Sequence, residues 1–357
     1  MTELDYVDHR SDPAAWAEQL GISREAVEIH LASEVIDLHL DSFIWQRVFG
    51  YDLRRRHGRG LLDARFYSQV DFPRALEAGL TGATWVITTN PLRSAAERED
   101  AFFRNLRELL ELFRSVSERF SVVKNVAEYR AARAAGTHGA FIGIQGGNAL
   151  DHDLGALDRV PQGLILRATV VHLSSSSFGA TSSPLRGGGD PGLSDHGRAF
   201  IRRLNEKKIF VDLAHISQKG FWDAVEIHDR SQPLLVTHTG VCGVFEHWRN
   251  LDDAQLRAVA DSGGTVGVMY HSPFLGKHGK SAEGVVRHIE HIIATVGEDH
   301  ASLGSDWDGA ILPPRDLATC LDLPRLAELM LRRGFTPERI QKVLGGNFLR
   351  VVATLRG

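Results

Sequence analysis

The stretch Val35-Ile36-Asp37-Leu38-His39-Leu40-Asp41 is an apolar run that ends in polar side chains. Valine, isoleucine and leucine in such a short run are typical of a buried strand. His39 and Asp41 are two residues apart, so both side chains lie on the same face of an extended strand. An imidazole nitrogen and a carboxylate oxygen on one face can reach the same metal ion. The stretch therefore predicts a strand with two candidate metal ligands at its carboxyl end.

Seven further apolar runs follow this one and alternate with longer segments of helical period. This alternation is typical of βα units around a parallel sheet. A doubly wound sheet usually has a glycine-rich phosphate turn after its first strand, and no such turn follows any of the runs. The sequence therefore predicts an α/β fold of the (βα)8 TIM-barrel type. The eight predicted strands are 35–39, 81–88, 140–145, 164–172, 209–215, 234–238, 265–270 and 302–306.

The segment before the first run predicts one or two short helices, because Asp12-Pro13 is a favourable helix start. We therefore expect an N-terminal helical extension over residues 1–34 and a barrel domain over residues 35–357. The glycine run 187–189 is interpreted as a loop after the fourth strand, since it lacks the Lys-Ser or Lys-Thr of a phosphate-binding loop.

The composition restricts the partners and the compartment. The 357 residues contain 41 Lys and Arg against 45 Asp and Glu, a formal net charge of −4. Since no basic cluster occurs, nucleic acid is not expected as a partner. The chain has two cysteines, no apolar signal segment and no run of ~18 apolar residues. We therefore expect a cytoplasmic protein with no membrane partner.

Polar side chains end most of the predicted strands, and the 17 histidines of the chain contribute several of them. Soluble barrels carry their chemistry at the carboxyl ends of the strands. A single histidine there is more often a hydrogen-bonded structural residue, but a repeated polar ending favours a shared site. Neutral imidazole suits Zn2+, and mixed histidine and carboxylate sites are common in hydrolysis. The candidates are His39, Asp41, Gln145, His172, His215, His238 and Asp306.

Two carboxylates follow the last predicted strand, in the sequence Ser305-Asp306-Trp307-Asp308-Gly309. Either could act as a base on a metal-bound water, and either could instead stabilise a turn or cap a helix. We favour the chemical role for Asp306, which ends the strand, and the structural role for Asp308.

Several motifs together resemble the membrane (renal) dipeptidase family of zinc metallo-dipeptidases. The similarity spans about residues 35–351. Members of that family are (βα)8 metallo-hydrolases that cleave dipeptides with two zinc ions. The resemblance implies the same fold and a small dipeptide-like substrate, and it leaves a homodimer open. The motifs are Asp37-Leu38-His39-Leu40-Asp41, Val211-Asp212-Leu213-Ala214-His215-Ile216-Ser217 and Ser305-Asp306-Trp307-Asp308-Gly309, with further stretches at 69–74, 192–197, 249–250 and 346–351.

The resemblance implies ligands for two zinc ions. His39 and Asp41 correspond to the ligands of one ion, and His215 and His238 to those of the other. The family has a glutamate at the position of Gln145, where it bridges both ions.

The resemblance also implies catalytic and substrate-binding residues. Asp306 corresponds to the general acid/base, and His172 to a histidine that contacts the substrate near the scissile amide. Arg249 corresponds to the arginine that holds the terminal carboxylate of the substrate, a task that suits its planar guanidinium. Asn250 beside it is expected to bind substrate too. Without the resemblance, a surface ion pair is the preferred interpretation of Arg249.

Gln145 is the main departure from the family pattern. A bridging ligand needs two anionic oxygens, whereas an amide offers one neutral oxygen and an NH2 group that a cation repels. The site also loses one negative charge. We therefore expect zinc as the cofactor, with one or two ions and a weakened second site. Replacing Gln145 with Glu is expected to raise zinc occupancy toward two.

Three functions are compatible with this pattern. The first is a metal-dependent hydrolase of dipeptides or related small amides with a free C-terminal carboxylate. The second is an enzyme of specialised metabolism that uses the same scaffold for altered chemistry. The third is a ligand-binding homologue without turnover, because of Gln145. Since the other candidate ligands, Asp306 and Arg249 are all retained, the sequence favours a catalyst over the third function.

Overall fold

The computed structural model describes residues 4–184 and 188–357, so Gly187 of the glycine run lies outside the described residues. Within that part of the chain, eight parallel strands form a nearly closed barrel in the order β1-β2-β4-β5-β6-β7-β8-β9, and β3 pairs with β4 outside this path. A parallel bridge between Leu40 and Trp307 joins the two ends of the sheet. The predicted (βα)8 barrel is confirmed. The strands are β1 (Ile36–Leu40), β2 (Gly82–Thr88), β3 (Phe120–Val122), β4 (His138–Gln145), β5 (Ile165–Thr169), β6 (Phe210–Asp212), β7 (Leu235–Thr239), β8 (Thr265–Val268) and β9 (Ala301–Leu303).

Each predicted run overlaps one barrel strand, but several runs extend beyond it. β5, β6 and β9 end three residues before His172, His215 and Asp306 respectively. The backbone of His215 has φ of 67° and that of Asp306 has φ of 62°, in the left-handed region that no strand uses. These side chains therefore lie on the loops that follow the strands. β3 was not predicted, because it is only three residues long.

Helices follow the strands and surround the barrel. Several begin at side-chain caps: Asp12 accepts a hydrogen bond from the Ala15 amide, and Ser94 forms a capping box with Glu97. The helices are α1 (Pro13–Leu20), α2 (Arg24–Ala32), α3 (Phe43–Phe49), α4 (Phe72–Glu77), α5 (Ala95–Ser115), α6 (Val126–Ala134), α7 (Asp195–Glu206), α8 (Gln218–Ile227), α9 (Asp253–Asp261), α10 (Ala282–Val296), α11 (Pro324–Arg332), α12 (Pro337–Gln341) and α13 (Asn347–Arg356), with a π-helical turn (Lys342–Gly346) before α13.

The N-terminal helices α1 and α2 precede the barrel and are anchored to it. The Ser23 hydroxyl caps α2 and donates to Glu328 of α11 at 2.5 Å. His30 of α2 is hydrogen-bonded to the carbonyl of Ala78 at 2.8 Å. A separate extension over residues 1–34 remains a prediction. Among the described helices, none has both the length and the apolar character needed to cross a membrane.

Charged side chains occupy part of the barrel interior beneath the carboxyl ends of the strands. Arg167 of β5 and Asp212 of β6 are fully buried and form an ion pair at 3.0 Å. Gly143 of β4 leaves room for this arginine, because a Cβ atom there would lie 3.0 Å from Arg167 Nε and 2.9 Å from Thr84 Cγ2. A buried ion pair therefore lies directly below the polar residues at the ends of the strands.

Candidate active site

Two histidines and two carboxylates form the centre of the site. His39 Nε2 lies 3.2 Å from Asp41 Oδ2 and 3.5 Å from Asp306 Oδ1. The rings of His39 and His238 are 3.9 Å apart. Ligand atoms of His39, His238 and Asp306, all buried, lie within 4.8 Å of one another. The carboxyl ends of β1, β7 and β9 and the loops that follow them therefore meet at one point.

A second pair of imidazoles completes this centre. His215 Nε2 and His238 Nε2 are only 2.7 Å apart, and the amide nitrogen of Gln145 is 3.4 Å from His215 Nε2. Burial and nearby positive groups, Arg249 among them, place the pKa of both histidines well below its usual value. Both rings are therefore neutral, the state in which imidazole can bind a metal.

Two residues of this site have a strained backbone. His215 and Asp306 are both left-handed non-glycine residues, each three residues after the end of its strand. Such conformations cost about 1 to 3 kcal/mol each and persist where the surrounding structure holds them. They aim the two side chains across the mouth of the barrel.

Buried carboxyl groups give the site an unusual electrostatic character. Burial, together with the neighbouring Asp41 carboxylate, raises the pKa of Asp306 well above its usual value. Burial also raises the pKa of Asp37 to about 7, although its carboxylate accepts hydrogen bonds from the amides of His39 and Ser305. Asp306 therefore holds a proton more readily than an exposed carboxyl group does, as a general acid/base requires.

Arg249 and His172 line a pocket of about 390 Å3 in front of this centre. Arg249 is buried, its Nη2 donates to the His238 carbonyl at 2.7 Å, and its Nε has no hydrogen-bond partner among the described residues. Burial lowers its pKa to about 10, so the guanidinium remains charged at neutral pH. Burial also lowers the pKa of His172 to about 4, and its ring lies 4.7 Å from that of His215.

Two other residues singled out in the sequence hold loops together. The Asn250 amide donates to the carbonyls of Phe245 and Phe274 at 2.8 and 2.9 Å, and its expected contact with substrate remains a prediction. Asp308 accepts hydrogen bonds from the Gln69 amide at 2.9 Å and from the Ser42 hydroxyl. These contacts agree with the structural role favoured for Asp308.

Sequence reasoning missed the apolar wall of the pocket. Large side chains from helix α3 and from four loops line it, and they lie far apart in the sequence, so no pattern could group them. The ring of Trp248 lies 5.5 Å from that of Phe274, which in turn lies 4.5 Å from that of His271. The wall comprises Trp45, Leu173, Trp248, His271, Phe274 and Ile311.

Sequence reasoning also missed the residues beneath the histidines. The Thr237 hydroxyl donates to Asp212 at 2.6 Å and contacts His238 Nδ1 at 3.0 Å, while Arg167 contacts His39 Nδ1 at 2.6 Å. The available signal was the presence of charged residues inside otherwise apolar strands, where unpaired charges are rarely tolerated.

The donor set around His215 and His238 fits one divalent ion. Because the Thr237 hydroxyl gives its proton to Asp212, its oxygen accepts from His238 Nδ1–H. His238 Nε2 then carries a lone pair, beside the equivalent atom of His215. A ligand histidine usually donates from its other nitrogen in this way, and nitrogen ligands suit zinc.

Known proteins share sequence and fold with this chain. The chain is 39% identical over 167 residues to the "Uncharacterized protein in pqqA 5'region" of Klebsiella pneumoniae, and the match covers 45% of this chain. The chain spans 60% of the length of that relative.

Two solved structures share the fold over nearly the whole chain. One is the dipeptidase AC, a metallopeptidase of family M19, with 27% identity and a TM-score of 0.79. The other is a metallopeptidase from Rhodobacter sphaeroides liganded with a phosphinate mimic of the dipeptide L-Ala-D-Ala, with 26% identity and a TM-score of 0.79. Each match covers 90% of this chain and 98% of the other. The characteristic sequence pattern of the membrane dipeptidases matches residues 23–356, and the chain therefore belongs to the membrane dipeptidase family, peptidase family M19.

Proposed function

We propose that this protein is a metal-dependent hydrolase that cleaves the amide bond of dipeptides or related small amides with a free C-terminal carboxylate. Family membership and the dipeptide mimic bound by the Rhodobacter sphaeroides relative support this function. The cofactor that we propose is zinc, with one tightly held ion.

The observation that carries the proposal is the buried guanidinium of Arg249. Its Nε lacks a partner among the described residues, and the side chain lines the same pocket as Asp306. An unpaired buried donor on a cation is costly, and a carboxylate relieves that cost through charge-assisted hydrogen bonds. A substrate bound by its carboxylate at Arg249 extends its amide bond toward Asp306.

Different residues of the site have different roles in the proposed hydrolysis. A divalent ion held by His215 and His238 supplies Lewis acidity to the scissile carbonyl when it is bound. Asp306 takes a proton from the attacking water and returns it to the amine as the C–N bond breaks, which leaves a new carboxylate and a free amine. His172 contacts the substrate near the amide, and Arg249 fixes its orientation.

The apolar wall selects the side chain of the substrate. Trp248 and Phe274 stand beside Arg249 in the pocket, so the side chain next to the bound carboxylate meets aromatic surface. Burying a large apolar side chain there is favourable. We therefore propose that substrates with a large apolar C-terminal residue are preferred over those with glycine.

The test compares L,L and L,D dipeptides with their C-terminal amides, in the unmodified protein and in Arg249→Met. We expect kcat/KM to be roughly 10- to 100-fold higher for free acids, the range for one charge-assisted hydrogen bond, and this preference to vanish in the variant. Arg350→Met is the matched control, because that arginine binds main-chain carbonyls of Gly263 and Asp299 outside the pocket. Equal turnover of acids and amides by the unmodified protein contradicts the carboxylate-binding role.

A second candidate function is ligand binding without turnover, and Gln145 is the observation that favours it. Its amide faces His215 where the family has an anionic bridge. Isothermal titration with the same dipeptides separates the two functions. Binding that depends on Arg249, with no hydrolysis in zinc-supplemented buffer, supports the second candidate over the first.

A further inference from the structure

We propose that Arg167 holds His39 as a hydrogen-bond donor toward the carboxylates of the site, so that His39 is not a metal ligand and the ion is bound by His215 and His238. This inference rests on the proposed metal dependence, but it concerns the binding site of the ion and not the reaction.

The first step is the direction of the hydrogen bond between Arg167 and His39. Arg167 Nη2 lies 2.6 Å from His39 Nδ1, and a guanidinium has only donors. His39 Nδ1 must therefore accept. A ring that accepts a hydrogen bond at Nδ1 is not an imidazolium, so His39 is neutral and carries its one proton on Nε2. That proton points toward Asp41 Oδ2, 3.2 Å away.

The second step is the consequence for a metal ion. Nε2 is the atom of His39 that faces the other candidate ligands, and a nitrogen that carries a proton has no lone pair for a metal. Binding through it requires either an imidazolate or rupture of the contact with Arg167. Metal-bound histidines usually have the opposite arrangement, in which the second nitrogen donates to a carboxylate, carbonyl or water.

His238 provides an internal comparison, because it shows that usual arrangement. Its Nδ1 donates to Thr237 Oγ1, whose own proton goes to Asp212 Oδ2. The same Asp212 carboxylate also pairs with Arg167 at 3.0 Å. One buried ion pair thus sets opposite proton positions on two histidines whose rings are 3.9 Å apart.

The third step is the rigidity of Arg167. Its side chain is fully buried and contacts the carbonyls of Leu38 and Ile144 at 3.4 and 3.5 Å. Gly143 provides the space that its Nε occupies. The guanidinium cannot swing into solvent, so its positive charge remains beside His39 and also repels a cation there. Arg167 is a positioning residue, and with Gln145 it opposes a second ion.

The first measurement uses the unmodified protein. Long-range 1H–15N NMR of histidine-labelled protein, with the His39 resonances assigned by loss in His39→Gln, reports which ring nitrogen carries the proton. We expect the proton on Nε2 of His39 and on Nδ1 of His238. A proton on Nδ1 of His39 overturns the proposal, whether or not the protein hydrolyses dipeptides.

The second measurement is zinc content after zinc incubation and dialysis. We expect about one equivalent in the unmodified protein and in His39→Gln, and loss of that equivalent in His238→Gln. Because Arg167 remains in place, we expect about one equivalent in Gln145→Glu as well, in contrast to the rise toward two that the sequence alone predicts. Arg167→Met combined with Gln145→Glu is expected to approach two equivalents. The control is Arg356→Met, which removes a half-buried arginine bound to carbonyls far from the histidines and should leave the content unchanged.

Three outcomes contradict the proposal. Loss of the ion in His39→Gln makes His39 a ligand, and two equivalents in Gln145→Glu alone show that Arg167 does not oppose the second ion. Two full equivalents in the unmodified protein also refute it. If no variant binds zinc, the metal dependence in the proposed function fails, while the NMR result still decides the proton position of His39.

Discussion

Lowering the pH from 7.5 to 5 is expected to destabilise this protein through His138, which lies at the amino end of β4, away from the active site. His138 Nδ1 is hydrogen-bonded to the Leu80 carbonyl at 2.8 Å, and Trp85 Nε1 donates to His138 Nε2 at 3.2 Å. If His138 Nε2 were protonated, it could no longer accept from Trp85 Nε1, and two N–H donors would face each other. Burial lowers the pKa of His138 from 6.5 to about 4.

The sign and size of the effect follow from linkage. Because the folded state binds the proton more weakly than the unfolded state, stability is lost as the pH falls below 6.5. At pH 5 the unfolded histidine is almost fully protonated and the folded one is mostly neutral, which corresponds to about 2 kcal/mol. His30 and His288, whose pKa values burial also lowers to about 4, act in the same direction.

Urea unfolding of the unmodified protein and of His138→Gln at both pH values isolates this contribution. Glutamine does not titrate, so we expect the variant to lose about 2 kcal/mol less than the unmodified protein between pH 7.5 and 5. His152→Gln, at an exposed position, is expected to behave like the unmodified protein. A pH dependence in His138→Gln that matches the unmodified protein refutes the reasoning.

Three further substitutions test other parts of the structure. Gly304→Ala is expected to cost about 3 kcal/mol in urea unfolding, because its Cβ would lie 1.7 Å from the Thr237 carbonyl oxygen; full stability would show that β9 can shift freely. Ser23→Ala is expected to lower stability by about 1 kcal/mol through loss of the α2 cap and of the contact with Glu328, whereas Ser23→Thr should retain most of it. Trp248→Ala is expected to lower kcat/KM about tenfold for dipeptides with a large apolar C-terminal residue and to have little effect with C-terminal glycine; an equal loss for both would remove Trp248 from side-chain recognition.

Local patterns were sufficient to predict the eight barrel strands and the polar residues near their ends. A buried parallel strand is a short apolar run, and the side chain that follows it must lie at the mouth of a barrel. The lengths of β5, β6 and β9 could not be predicted, because left-handed residues such as His215 and Asp306 end the extended conformation without a glycine to mark the position.

Long-range contacts account for what the sequence could not predict in the site. The role of Arg167 depends on its contact with His39, 128 residues away, and on the small size of Gly143. The apolar wall joins side chains from helix α3 and four separate loops. Such groupings are properties of the closed barrel, and no spacing along the chain encodes them.

The barrel closes where the bridge between Leu40 and Trp307 joins the two ends of the sheet, which we call the seam. Because the seam joins the first strand to the last, the site can form only late in synthesis. Asp41 follows the first barrel strand, Asp306 follows the last, and the amide of Asp41 donates to the Trp307 carbonyl at 3.0 Å across the seam. Asp37 and Ser305, which meet at the same seam, are 268 residues apart. A nascent chain on the ribosome therefore has no complete site until its last strand has emerged and closed the barrel, so a prematurely terminated fragment lacks Asp306 and the site stays incomplete.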